Sequence, residues 1–246
     1  MGTEYGVSHK GASQCDCVAW NNSYSQKNFS VVMNDILDIH THKSPPQLEG
    51  IVSIRLCYPD ADQEGILPQQ LYSAGIHPWD VPLHDLENTR TMLNSYALRP
   101  EIVAIGECGV DLKYGGPMFR QLEVFRMQIE LSEQLKKPVR VHDVKGDDII
   151  CGLRRDLRPI QPWCIHGFRG KPAAAVALLR SGCYLSFGEK FNSDTLIAMP
   201  EDRILAETDE STLTIEEIIV RMSEVRGVDL TQTIKDNSKK FCNFVS

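Results

Sequence analysis

Two histidines two positions apart end the first apolar run of the chain, in the sequence Asp38-Ile39-His40-Thr41-His42. Side chains at positions i and i+2 of a strand point to the same side, so His40 and His42 can reach one point in space. Two imidazoles that converge in this way are suitable ligands for a divalent metal ion. The same spacing on an exposed strand would give only a polar surface, so the interpretation depends on the rest of the chain.

Further imidazoles and carboxylates follow other apolar runs. Together these side-chain types fit Zn²⁺ or another divalent first-row metal. A lone histidine in such a position is more often a hydrogen-bonded loop residue, but the joint pattern favours a metal site. His77 follows the third run, Glu107 the fourth, His142 the fifth, His166 the sixth and Asp209 the eighth.

The runs that carry these residues alternate with longer amphipathic stretches from Val31 onward. Several runs lack a clean alternation of apolar and polar residues, which is typical of parallel strands covered on both faces. Helical patterns occupy residues 83–98, 117–136, 171–181 and 214–226. The predicted strands are residues 35–39, 51–57, 71–76, 102–105, 138–141, 163–165, 183–187 and 203–206.

Strands that alternate with helices predict an α/β fold with a parallel sheet, and eight such units predict a (β/α)8 TIM barrel. Residues 43–50 and 59–70 are too short or too rich in proline for full helices, so the first and second crossovers are expected to be reduced. The alternative is an open doubly wound sheet, but no glycine-rich phosphate loop follows the first strand. We expect one barrel domain over residues 31–246, after a poorly ordered tail over residues 1–30.

In a TIM barrel the carboxyl ends of all strands meet at one rim, so four or five of these histidines and the two carboxylates, Glu107 and Asp209, should converge there. Six ligands are too many for one tetrahedral ion. They suit two divalent ions bridged by a carboxylate, which activate a water molecule as nucleophile. The sequence therefore predicts a two-metal hydrolase.

Composition limits the compartment and the partners of the protein. No run approaches the ~18 apolar residues of a membrane span, and the first thirty residues do not resemble a secretory signal. The eight cysteines are scattered along the chain, which favours a cytoplasmic protein without disulfides. The net charge of −7 argues against a broad basic surface for nucleic acid. Any chemistry on a phosphodiester would need local cations.

A series of short motifs carries a family resemblance. Over residues 34–246 the chain resembles the TatD family of metal-dependent deoxyribonucleases, and the resemblance implies a TIM-barrel metallohydrolase with two divalent ions such as Zn²⁺, Mg²⁺ or Mn²⁺. The motifs are DIHTH, AGIHP, IGECGVD, PVRVHD, IHGFRG, YLSFG and AETD, followed by a closing segment from Asn237 to Phe241.

The resemblance also implies a role for each residue at the site. His40, His42 and Asp209 would hold one ion, His142 and His166 would hold the other, and Glu107 would bridge the two. Asp209 would act as general base. His77 is similar to a family histidine that faces the substrate.

The substrate surface departs from the family pattern. Trp79 stands where many members have a second histidine, and it could stack on a base or simply pack. Val144 replaces a frequent arginine, and Glu210-Ser211 replaces a small residue and proline after Asp209. Arg169, between two glycines after His166, is the strongest candidate for a phosphate contact, and Lys113 is a weaker one.

The leading hypothesis is a metal-dependent phosphodiesterase, an exonuclease that acts on DNA ends or single strands. The same metal ligands could serve a deacylase acting on misacylated tRNA or a small-molecule amidohydrolase. A non-catalytic metal-binding scaffold is a third possibility, which the presence of all six ligands disfavours. No membrane partner is expected, and the sequence does not fix the oligomeric state.

Overall fold

Eight parallel strands form a closed barrel in chain order. The computed structural model describes residues 37–42, 50–55, 66–67, 70–81 and 85–243. Asp38 in the first strand pairs with Ala206 in the last, which closes the barrel. The predicted (β/α)8 architecture is therefore confirmed. The strands are β1 (Asp38–Thr41), β2 (Gly50–Arg55), β3 (Leu71–Gly75), β4 (Ile102–Asp111), β5 (Val139–Val144), β6 (Trp163–Ile165), β7 (Tyr184–Phe187) and β8 (Ile204–Ala206).

Seven α-helices lie in the part of the chain that the structure describes. The helices predicted at 83–98, 117–136, 171–181 and 214–226 are present with slightly different bounds. The sequence pattern did not predict α3, α5 or α7, which bury few apolar side chains or are too short to show periodicity. The helices are α1 (Leu86–Ala97), α2 (Met118–Leu135), α3 (Asp147–Leu157), α4 (Pro172–Arg180), α5 (Ser193–Ala198), α6 (Ile215–Arg226) and α7 (Thr231–Phe241).

Strands β4 and β5 extend further than predicted. β4 was predicted to end at Ile105, but it continues to Asp111 because it keeps pairing with β5 as far as Val144. The prediction that Glu107 and His142 follow their strands was therefore wrong, since both lie within them. Gly109 permits this pairing: its φ is 144°, and a side chain there would collide with the backbone of His142.

The strands and helices bury two kinds of apolar surface. Between the barrel wall and the helices lies a large core that includes Trp163 and Phe125, whose ring centroids are 5.5 Å apart. A smaller cluster joins side chains from strands on all sides of the barrel, so it fills the interior. Its members are Ile39, Ile51, Leu71, Val103, Cys164, Tyr184 and Leu205, together with Phe241 and Cys242 at the end of α7.

Other expectations are tested only in part. The predicted tail over residues 1–30 and most of the first two crossovers lie outside the described residues. Among the described cysteines, Cys108, Cys151, Cys164, Cys183 and Cys242 are free. None of the described helices has the length and apolar character to cross a membrane.

Candidate metal centre

The carboxyl ends of the strands bring the six predicted ligands together. His40 lies in β1 and His42 directly after it, while Asp209 follows β8 and pairs with Thr41. The backbone N–H of Asp209 donates to the carbonyl of His40 at 2.9 Å, which fixes the first histidine against the aspartate. Asp209 has a φ of 52°, a left-handed conformation that aspartate tolerates better than most residues.

The carboxylate of Glu107 lies between two groups of imidazoles. Its Oε1 is 2.8 Å from His142 Nδ1 and 2.7 Å from His166 Nε2. Its Oε2 is 3.5 Å from His40 Nε2 and 3.6 Å from His42 Nε2. One oxygen therefore faces each group, which is the arrangement that a bridging carboxylate requires.

Asp209 borders the group formed by the first two histidines. Its Oδ1 is 3.6 Å from His40 Nε2 and 3.8 Å from His42 Nε2. It also lies close to His166 and to a second carboxylate, Glu207. Three sets of donor atoms therefore lie in this region, and within each set the atoms are at most 4.8 Å apart. They are His40, His42 and Glu107; His77, Glu107 and His142; and His166, Glu207 and Asp209.

The chemistry of these donors fits a divalent cation. His40 is fully buried, and its Nε2 has no hydrogen-bond partner among the described residues although it faces two carboxylates. A buried polar atom in that state costs free energy unless a ligand satisfies it. Mixed imidazole nitrogens and carboxylate oxygens are the usual ligands of divalent first-row metals. The clusters therefore fit divalent metal binding, and they leave the metal's identity open.

Burial and charge act in opposite directions on the central ion pair. Burial alone would raise the pKa of Glu107, but the charge of His166 and hydrogen bonds from His142, His166 and His42 hold this pKa well below its usual range. Burial would lower the pKa of His166, yet the carboxylates of Glu107 and Glu207 raise it well above its usual value. Glu107 is therefore ionised near neutral pH, the state that a metal ligand needs.

Carboxylates also face the outer nitrogens of two candidate ligands. Glu207 is fully buried, accepts a hydrogen bond from Ser186 Oγ, and has its Oε1 3.5 Å from His166 Nδ1. Asp111 Oδ2 lies 3.2 Å from His142 Nε2. Such outer contacts orient metal-binding histidines. Glu207 was not predicted as a site residue, although its spacing of two from Asp209 could have placed it on the same side of the chain as that aspartate.

His77 faces the same point with its hydrogen-bonding state set by the backbone. The N–H of Trp79 donates to His77 Nδ1 at 3.1 Å, so a neutral ring carries its hydrogen on Nε2. That nitrogen lies 3.2 Å from Glu107 Oε1. His77 therefore presents a donor to the centre.

Two cavities open beside the metal centre and share Arg169 and Asp209. The larger has a volume of about 540 Å³ and is also lined by Trp79, Lys145 and His166. The smaller, of about 260 Å³, is also lined by Lys190. Trp79 and Arg169 therefore line cavities beside the metal centre, and their predicted substrate contacts stay predictions.

Lys113 has a different environment. Its ammonium lies 4.6 Å from the centroid of the Tyr114 ring, and its backbone N–H donates to Asp111 Oδ1. Its predicted phosphate contact stays a prediction.

Comparison with known proteins identifies the family. Residues 62–243 match the family model described as TatD related DNase. This chain belongs to the TatD family. The match begins after β1, so His40 and His42 lie outside it, and their place in the TatD site depends on the geometry described above.

Individual relatives match more than half of this chain. The uncharacterized metal-dependent hydrolase YabD of Bacillus subtilis is 30% identical over 154 residues, which are 58% of this chain and 60% of YabD. The human 3′-5′ RNA nuclease TATDN2 is 28% identical over 205 residues, which are 76% of this chain and 26% of TATDN2. The chain thus spans about 60% of the length of relatives such as YabD.

A solved structure shows the same TatD fold. The crystal structure of YjjV, a TatD homolog from Escherichia coli, superposes with a TM-score of 0.73 at 19% identity. The superposition covers 86% of this chain and 99% of YjjV. At this identity the likeness supports the barrel fold alone.

Proposed function

We propose that this TatD family chain is a metal-dependent phosphodiesterase that removes nucleotides from the ends of single-stranded nucleic acid, with DNA as the expected substrate. The observation that carries the proposal is the position of Glu107, whose two oxygens face separate groups of imidazoles at distances of 2.7–3.6 Å. The family description as DNases and the nuclease name of TATDN2 support a phosphodiester substrate.

The six side chains would hold two divalent ions, with Glu107 between them. Ions bound there would polarise a phosphoryl oxygen and make a water molecule more acidic. Asp209 would accept the proton of the attacking water as general base, because its carboxylate lies at the edge of the centre and partly in solvent. His77 would donate its Nε2 hydrogen to a phosphate oxygen.

The cavities suggest how a single strand would bind. Trp79 is 46% exposed and lines the larger cavity, where its ring can stack on an unpaired base. Arg169 lies between the two cavities and can contact the phosphate beside the metal centre. The net charge of −7 opposes long-range attraction of a duplex, so these local contacts favour ends and single strands.

Cleavage assays with a matched pair of variants test the proposal. Metal-loaded protein is incubated with end-labelled single-stranded DNA, duplex DNA and single-stranded RNA. Asp209→Asn should lower kcat at least about 100-fold, the usual contribution of a positioned base. Asp156→Asn makes the same change on the outer surface of α3, where the side chain is 58% exposed, and should leave kcat unchanged.

The outcomes separate the alternatives. Wild-type protein that cleaves none of these substrates faster than Asp209→Asn would overturn the proposal. Hydrolysis of aminoacyl-tRNA in place of phosphodiesters would favour the deacylase alternative. RNA cleaved in preference to DNA would keep the reaction and change the substrate.

A further inference from the structure

A buried arginine lies directly beneath the metal centre. Arg140 is fully buried in β5, two residues before His142 and on the same side of the strand. Its Nη1 is 2.8 Å from His40 Nδ1 in β1 and 2.8 Å from Ser73 Oγ in β3. β5 adjoins only β4 and β6, so Arg140 makes these contacts across the barrel interior.

The contact with His40 restricts which nitrogen of that ring can bind a cation. A guanidinium has only N–H donors, so Nδ1 of His40 must accept, and a neutral ring then carries its hydrogen on Nε2. Nε2 is the atom that faces Glu107 and Asp209. Binding a metal through Nε2 would move the hydrogen to Nδ1, where it would point at the Arg140 N–H.

The other candidate ligands have the opposite surroundings. The outer nitrogen of His142 faces Asp111, and that of His166 faces Glu207. When a cation replaces the hydrogen on the inner nitrogen, a carboxylate in this position can accept the hydrogen that the outer nitrogen then carries. His40 alone of these three meets a cationic donor instead.

The charge of Arg140 adds to this effect. Its Nε and Nη2 have no hydrogen-bond partner within the described part of the chain, so no carboxylate in contact neutralises the guanidinium. Like charges repel more strongly in a buried environment than in water. A second cation beside His40 would therefore be repelled by this buried guanidinium.

We propose that Arg140 is a positioning residue that makes the two metal subsites unequal. The subsite of Glu107, His142 and His166 binds the first ion, and the subsite of His40, His42 and Asp209 binds the second ion more weakly because Arg140 donates to His40. This inference rests on the two-ion site of the proposed function, but it concerns metal affinity and not the reaction.

Metal titration tests the inference independently of cleavage. Chelator-treated protein is titrated with Zn²⁺ or Mn²⁺ by calorimetry, and bound ions are counted after equilibrium dialysis. Wild-type protein should bind one ion at least about tenfold more tightly than the second, because residues that hydrogen-bond to metal ligands usually change metal affinity by at least that factor. Arg140→Gln, whose amide oxygen can accept from Nδ1, should tighten the second ion by about the same factor, whereas Arg140→Lys should resemble wild type.

A measurement on wild-type protein keeps the inference testable if Arg140→Gln fails to fold. In metal-free wild-type protein, the ¹⁵N chemical shifts of the His40 ring should show the hydrogen on Nε2, and a hydrogen on Nδ1 would overturn the inference.

Equal affinities for the first and second ions in wild-type protein would also overturn the inference. So would the same affinity for the second ion in Arg140→Gln and Arg140→Lys. Either result would leave the proposed function intact. Protein that binds no ion at all would overturn both.

Discussion

At the scale of single residues, Trp79 joins the metal centre to the substrate cavity. Its indole N–H donates to Asp111 Oδ2 at 2.6 Å, and its ring packs against that of His77 with centroids 4.7 Å apart. Trp79 therefore has two separable functions to offer, namely a face for stacking and a donor that holds Asp111.

Substitutions of Trp79 should separate these functions. Trp79→Ala should raise KM for single-stranded DNA about tenfold, because base stacking on an aromatic ring contributes roughly 1–3 kcal/mol. Trp79→Phe keeps an aromatic face but lacks the N–H, so it should raise KM much less. Steady-state kinetics on one oligonucleotide would measure both. If the two variants are equally impaired, the indole acts through Asp111 and not by stacking.

At the scale of elements, α2 fixes two strand ends that border the site. The side-chain amide of Gln128 accepts from the N–H of Ile76 at 2.8 Å and donates to the same residue's carbonyl at 3.1 Å. Gln121 makes the equivalent pair of bonds with Asp111 at 2.8 and 3.1 Å. Seven residues separate these glutamines, so they lie on the same face of the helix.

Gln128→Leu should therefore destabilise the protein. The change leaves the buried N–H and C=O of Ile76 without partners, which should lower the free energy of unfolding by about 2 kcal/mol. Gln134→Leu, at an exposed position near the end of the same helix, should change it by less than about 0.5 kcal/mol. Urea denaturation followed by circular dichroism measures both values. Equal values would show that the amide pair contributes little.

At the scale of the whole molecule, α7 covers the end of the barrel opposite the metal centre. Phe241 is fully buried in the interior cluster, with its ring 5.6 Å from that of Tyr184. Asn237, one turn earlier, donates to the carbonyls of Glu201 and Ile204 at the start of β8. The segment from Asn237 to Phe241, which resembles the end of TatD family sequences, thus has a structural role in this protein.

Phe241→Ala should cost stability without removing metal binding. The lost side chain leaves a cavity in the barrel, which should lower the free energy of unfolding by about 3–5 kcal/mol. Phe119→Ala is the matched control, because that ring is 73% exposed. Denaturation midpoints and the metal content of the folded fraction would be measured together. Loss of metal at unchanged stability would contradict this separation of roles.

The sequence by itself determined the fold class and the candidate ligands. Apolar runs that lack an alternation of apolar and polar residues are typical of parallel strands buried on both faces. Because stretches with helical periodicity separate these runs, the barrel could be inferred from the sequence pattern. His40 and His42 could be paired from their spacing alone, since strand geometry places alternate side chains on one side. The same local rules placed Arg169 beyond a strand end, whereas Trp79 was singled out by the family resemblance.

Only the tertiary structure decided which atoms face one another inside the barrel. The position of Glu107 between two groups of imidazoles depends on β4 continuing past Gly106, where a glycine interrupts the sequence pattern. The contact of Arg140 with His40 joins residues 100 positions apart on strands that are not neighbours. Such contacts exist only once the sheet has closed, because closure sets the distance between strands on opposite sides of the barrel. Local sequence periodicity does not predict that distance.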